Sequence, residues 1–349
     1  MTVSAGTPAT GVGLATTQVS VRRRLLSSPA TALALVIVVF VVFGATQTDR
    51  FLDGATWINI LRNAVFLVIV GVFTTLVLIS GGLDLSVGSV FVAGAVGAAA
   101  AADAGLPVLL SIALGTATGI VVGLLNGVLI NYAGIPSIIV TLGTYFSVRS
   151  IVVALTSGNS IGPLPDEFTA IGQGDVLGIP NLIFFAIGIA ILGHVLLQYA
   201  NLGWSIRAIG GNRDASGRFG IRVRAVSTLV YVLSGASAAF AGVLMASRLS
   251  SGPPSLGAGF ELQVIAAAII GGTSLSGSIG SIPGTVLGAL LLSVLSTGLV
   301  LLRVDPSLQN FAIGAILILA AGVDQFRKGR MFRRAALPTP TATPAVSKD

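Results

Sequence analysis

The chain has 349 residues, of which 54% are hydrophobic and only 9% charged, and its mean hydropathy is +0.98. So little charge over this length excludes a soluble globular domain and leaves a polytopic membrane protein whose main solvent is lipid. The net charge of +7 does not mark a nucleic-acid face, because thirteen of the nineteen Lys and Arg fall in three clusters, 22–24, 201–224 and 327–334, at the ends of apolar runs.

Residues 1–20 are rich in Thr, Ala, Gly and Ser without periodicity, and 1–27 reads as a disordered tail. The arginine trio ahead of an apolar run has the outline of a signal peptide. The run 30–46 lacks a small-residue cleavage site, however, and leads into further spans, so it reads as a retained first helix. With about 20 residues needed per crossing, spans are expected near 30–46, 60–80, 87–102, 107–130, 136–156, 181–200, 225–247, 260–275, 281–301 and 308–325. The fold class is therefore all-α, with about ten transmembrane helices in one domain over 28–326 and both termini cytoplasmic. Charge agrees with this alternation: Asp166, Glu167 and Asp175 sit in the longest outside loop, 157–180, and all three arginine clusters fall inside. The stretch 327–349 reads as a basic anchor followed by a disordered Pro and Thr tail.

Forty-five glycines are spread through the spans rather than gathered in loops. Helices in lipid associate by close approach at small residues, so a tightly packed bundle is expected. Gly115, Gly119, Gly123 and Gly127 recur every fourth position and form one smooth face, read as internal packing rather than a dimer seam. With no cysteine and one histidine, His194, the chain offers no disulfide, no thiol nucleophile and no zinc or iron site. His194 has no acidic neighbour in sequence and reads as a packing or interfacial residue.

Three polar interruptions carry more information. In ISGGLDLSVGSV, 79–90, three glycines and Asp84 break an apolar run, with Asp84 or Ser86 placed to cap the next helix. A carboxylate at this depth needs backbone N–H partners, a cavity or an interfacial position. A plain turn and a broken helix lining a path both remain open. The run IIGGTSLSGSIGS, from 269, repeats the same GG, polar, Gly-Ser rhythm. Between them, 201–224 holds five arginines against one acid, Asp214. Asn212 is placed to cap a short helix there, Asp214 to favour its first turn and Gly220 to end it. From charge alone this stretch only fixes orientation.

The wording of these runs resembles the permeases of ABC importers of the ribose, xylose and arabinose type. AIGGNRDASGRFGI, 208–221, is similar to the loop that in that family docks on the ATPase, although Ser216 stands at its second alanine and Phe219 at its serine. GGLDLSVGS, 81–89, is close to the family's GGIDLSVGS, and GGTSLSGSIGS follows its late motif with Ser276 where Phe is usual. Stretches at 134–150, 231–249 and 259–272 match as well, so the resemblance runs in order from about residue 57 to 328. It implies a coupling helix carrying Ala208, Gly210, Asn212, Arg213, Ala215, Ser216, Gly220 and Ile221. It also implies a translocation path at Gly81, Gly82, Asp84, Ser86, Gly88, Asn126, Tyr145, Glu261, Gly271, Gly272, Thr273 and Ser274. Asn63, Thr141 and Gln263 join the polar candidates for a neutral polyol.

The resemblance further implies a plasma (inner) membrane location, a second permease copy or sister subunit, separate ATPase subunits and a sugar-binding protein outside. No cofactor is expected on this chain: its two lysines, Lys328 and Lys348, follow no phosphate-binding loop, so ATP and magnesium belong to the ATPase. The expected cargo is a monosaccharide, with autoinducer-2, inositol and nucleosides as relatives' alternatives. The rival class is an ion-driven secondary transporter, which needs mid-span acids. Only Asp84 and Glu261 approach that requirement.

Overall fold

In a computed structural model of the chain, residues 29–305 are described, together with 308, 311, 314, 315, 318 and 322. The expected tails at 1–27 and 327–349 and most of the expected span 308–325 lie outside the described residues. The helices are α1 (Pro29–Gln47), α2 (Gly54–Ile79), α3 (Val87–Asp103), α4 (Val108–Asn131), α5 (Ser137–Thr156) and α6 (Asp166–Gln173). After a two-residue hairpin of β1 (Asp175–Val176) and β2 (Ile179–Pro180) come α7 (Asn181–Gln198), α8 (Asn201–Gly211), α9 (Arg213–Arg218), α10 (Val223–Leu249), α11 (Phe260–Ile270) and α12 (Ile282–Leu301). Six of these, α2, α4, α5, α7, α10 and α12, are long and apolar enough to cross a membrane. The ends fall close to the expected ones, with two departures. The stretch 201–224 forms two helices rather than one, and the expected span 260–275 is cut to an 11-residue helix.

Helix α2 is the centre of the bundle: every residue from 64 to 79 is buried, as an all-round apolar helix requires. It packs on α10, α12, α7 and α11. The second axis is α4 against α10, joined through the glycine row. A Cβ at Gly119 would overlap the Gly235 carbonyl, and one at Gly123 the Tyr231 carbonyl. The face is thus internal packing, as expected. The outward faces of α4, α5 and α7 carry large apolar side chains such as Leu109, Val121, Ile139, Phe146 and Ile191, in keeping with lipid as solvent.

The ends of the bundle are told apart by α8 and α9, which lie together at the arginine-rich end. At the opposite end α6 packs on the last turn of α10, where Ser247 Oγ donates to the Phe168 carbonyl (2.5 Å) and accepts from Gly172 N–H (2.8 Å). From there 250–259 descends without regular structure. It begins with Gly252 against Ala95 and Ala99 and reaches Gly257 against Gly88, a drop of about 10 to 16 Å along α3 at 1.5 Å per residue. Only then does α11 begin. Its 11 residues span about 16 Å, half of a hydrocarbon core of about 30 Å. Irregular backbone at that depth is tolerated only where it packs on protein or lines a water-filled space rather than facing lipid.

Candidate functional site

Three linked features occupy the bundle interior. The first is a pair of matching helix breaks. After α2, Gly81 N–H donates to the Leu78 carbonyl (3.0 Å) and Gly82 N–H to Val77 (3.0 Å). After α11, Gly272 N–H donates to Ile269 (2.9 Å) and Thr273 N–H to Ala268 (2.9 Å). The second bond of each pair spans five residues and requires a left-handed residue, supplied by Gly81 (φ 81°) and Gly272 (φ 91°). The rhythm shared by the two sequences therefore corresponds to one shared backbone turn. The breaks also touch: Ser278 N–H donates to the Ile79 carbonyl (2.8 Å).

Gly210 of α8 is wedged at that junction. A side chain there would collide with the Ile79 carbonyl and lie 2.7 Å from Ser278 N, and Gly277 in turn packs on Gly210. One turn on, Asn212 Oδ1 accepts from Ala215 N–H (2.9 Å), the expected cap of α9, and Gly220 (φ 85°) follows its end. Ser216 is buried and bonds the Asn212 carbonyl (2.8 Å), while Ala208, Asn212, Arg213 and Gly220 are exposed. Arg213 Nη2 donates to Asn131 Oδ1 (2.6 Å) at the end of α4, and Asn131 Nδ2 donates to Thr228 of α10 (3.3 Å). Phe219 after α9, 87% exposed, and Trp204 of α8 are both bare to the surroundings. An arginine-rich surface with bare aromatics and a direct hold on both breaks is suited to receiving a push from a partner.

The second feature is a buried polar chain around the first break. Asp84 Oδ1 accepts from Ser86 N–H (3.0 Å) and Ser86 Oγ (2.6 Å), and Oδ2 accepts from Ser234 Oγ of α10 (2.8 Å). Ser86 Oγ accepts from Asn126 Nδ2 of α4 (2.9 Å), and Asn126 Oδ1 accepts from Thr144 Oγ1 of α5 (2.6 Å). The expected residues Asp84, Ser86 and Asn126 thus meet in one network with Thr144 and Ser234, which the sequence did not single out. The plain-turn reading gives way to a buried break stitched to three helices.

The third feature is where α3 and α11 begin side by side. Gly88, in the first turn of α3, has no room for a side chain because the Glu261 carboxylate of α11 and the Gly257 carbonyl lie against it. Beside this meeting point, α2, α10, α11 and α12 shape a half-open cavity of about 200 Å³ lined by Asn63, Phe66, Leu67, Met245, Phe260, Gln263, Leu292, Ser293 and Ser296. Of the polar candidates, Asn63 and Gln263 line it. Gly271 packs tightly on Gly284, and Thr273 and Ser274 are buried in the second break, away from the cavity wall. Tyr145 stands edge-on to Phe146, and Thr141 bonds its own helix at Ser137. Phe66, Phe260, Ser293 and Ser296 were missed. The one sequence signal was the Pro and Gly content of SSGPPSLGAG ahead of α11, which marks irregular backbone before a shortened helix.

Comparison with known proteins follows the same outline. Residues 56–321 match the family model described as branched-chain amino acid transport system / permease component. The ribose import permease protein of Haemophilus influenzae is 33% identical over 307 residues, covering 87% of this chain and 94% of that protein. The xylose transport system permease of the same organism is 31% identical, covering 85% and 96%, and the D-allose transport system permease of Escherichia coli is 31% identical, covering 83% and 90%. A solved metal-chelate type ABC transporter in an inward-facing conformation overlaps with a TM-score of 0.48 at 17% identity, over 87% of this chain and 98% of that one.

Proposed function

This chain belongs to the permease-component family of membrane transport systems, and from that premise we propose that it forms the membrane path of an ATP-driven importer whose cargo is a monosaccharide. It is a transport subunit, not an enzyme. The cargo is inferred from relatives whose names specify ribose, xylose and allose import or transport. The wider family name covers amino acids, but the interior polar groups here are mostly hydroxyls and amides, suited to a neutral polyol. ATP and magnesium would be held by separate ATPase subunits, with a sugar-binding protein outside and a second permease copy or sister beside it. In this reading the arginine-rich face is cytoplasmic, the chain crosses a bacterial inner membrane about ten times, and both tails lie inside.

The observation that carries the mechanism is Gly210, held between the two helix breaks. Closure of the ATPases would press on α8 and α9, and the press would pass through Gly210 to both breaks and through Arg213 to the ends of α4 and α10. Alternating access then needs only that ATP bind one arrangement more tightly than the other. An ion-driven carrier finds less support. Asp84 is already committed to three hydrogen bonds, which suits a structural staple better than a proton carrier.

The test is purification of the tagged chain from its native membrane. A nucleotide-binding ATPase is expected to come with it, and to be lost when Ala215, half-buried in the first turn of α9, is replaced by Arg. Recovery of the chain without an ATPase, together with ATP-independent uptake in vesicles, would overturn the importer reading.

A further inference from the structure

We propose that the cavity at the start of α11 is a solute-binding site in its own right, built for one neutral, polyhydroxylated ring, so that the permease itself contributes to selection of its cargo. The inference rests on the importer reading and adds a place and a chemistry to it.

Size is the first argument. At about 30 Å³ per water, 200 Å³ corresponds to about six or seven waters, which is room for a single small ring. The second argument is the lining. Two aromatic rings, Phe66 and Phe260, offer flat apolar faces, and both are braced by Phe91: Phe260 lies 4.7 Å from its centroid and Phe66 meets it edge-on at 6.3 Å. Amides at Asn63 and Gln263 and hydroxyls at Ser293 and Ser296 supply donors and acceptors around them. A ring with C–H faces and a rim of hydroxyls matches that alternation of apolar and polar surface.

An unmet polar group is the third argument. Ser293 is 2% exposed, lines the cavity, and its Oγ has no hydrogen-bond partner. A buried hydroxyl left unpaired is costly, and a solute hydroxyl would remove that cost. No lining residue is charged. Just outside the lining, Arg248 lies 5.7 Å over the Phe66 ring and donates to Asn63 Oδ1 (3.1 Å), and Glu261 stands between Phe260 and Gln263 in the first turn of α11. The lining itself offers hydroxyls, amides and aromatic faces rather than charges, so it suits a neutral polyol better than a zwitterion, even though the family name includes amino acids.

The experiment uses the full permease alone in lipid nanodiscs, without ATPase or binding protein, and scintillation proximity with labelled D-ribose, D-xylose, D-allose, myo-inositol and L-leucine. Saturable binding of at least one polyol and none of leucine is expected. Gln263→Leu and Ser293→Ala should each weaken it about tenfold, the effect of one lost hydrogen bond to a buried partner, while Leu109→Ala, on the exposed face of α4, should leave it unchanged. Monodisperse elution checks that each variant folds. If Gln263→Leu does not fold, the smaller Ser293→Ala change decides. Absence of saturable polyol binding, binding of leucine, or variants within twofold of the parent would overturn the proposal. The importer reading would survive that result if the ATPase still co-purifies and ATP-driven uptake persists. Binding without a co-purifying ATPase would overturn the importer reading and leave the site.

Discussion

Asp84 shows how a single residue holds the first break. It is 1% exposed, and a carboxylate in that position is tolerable only because Ser86 and Ser234 supply three hydrogen bonds to it. Two of those bonds are local and orient the start of α3, while the third ties the break to α10. Asp84→Ala would strand a buried N–H and two buried hydroxyls and is expected to cost at least about 2 kcal/mol. Ser234→Ala, which removes only the tie to α10, should cost about 1 kcal/mol. Thermal unfolding in detergent measures both. Equal melting temperatures for Asp84→Ala and the parent would mean that the network contributes nothing to the fold. Asp84 itself was conspicuous in sequence, because an acid inside an apolar run has to be accounted for. Its partner Ser234 was not, since a serine among the small residues of α10 looks like any other, and only the fold brings it 150 positions back to the break.

At the level of elements, period was legible and depth was not. The glycine row of α4 could be read directly, because one residue in four without a side chain is a geometric statement about a helix face. The structure places that row against α10, with Gly123 beneath the Tyr231 carbonyl and Val232. Gly123→Leu would drive a side chain into backbone that has no way to yield. It is expected to destabilise the bundle by about 3 kcal/mol or more, whereas Val121→Leu on the exposed face of the same helix should change little. Comparing the two by detergent denaturation isolates the helix contact from any general effect of a larger side chain. The length of α11 escaped sequence reading for a physical reason: 260–275 is predominantly apolar, and hydropathy reports which residues avoid water but not how far along the bundle axis they begin. The cavity escaped with it, because Phe66 and Phe260 resemble ordinary span residues until the irregular descent at 250–259 sets their depth.

For the molecule as a whole, the question is whether α8, α9 and the two breaks move as one body. At the junction Gly210 admits no side chain, Ser278 donates to the Ile79 carbonyl at 2.8 Å, and Gly277 packs on Gly210 from the other side. Contacts between backbones at this range leave no room for sliding, since packed interiors shift between discrete arrangements rather than deforming continuously. A press on α9 would then be delivered to both breaks together, and any hinge would lie elsewhere. The absence of cysteine from the chain makes this testable with an introduced pair. A Cβ built on Gly211 lies 3.7 Å from Ser278 Oγ, within reach of a disulfide once both are cysteine. If the junction is rigid, Gly211→Cys combined with Ser278→Cys, oxidised and shown by mass to be closed, should transport at close to the reduced rate. Reversible loss of ATP-driven uptake on oxidation, recovered with reductant, would instead show that α8 parts from the second break during each cycle, and the push would have to travel through Arg213 and Asn131 to the ends of α4 and α10.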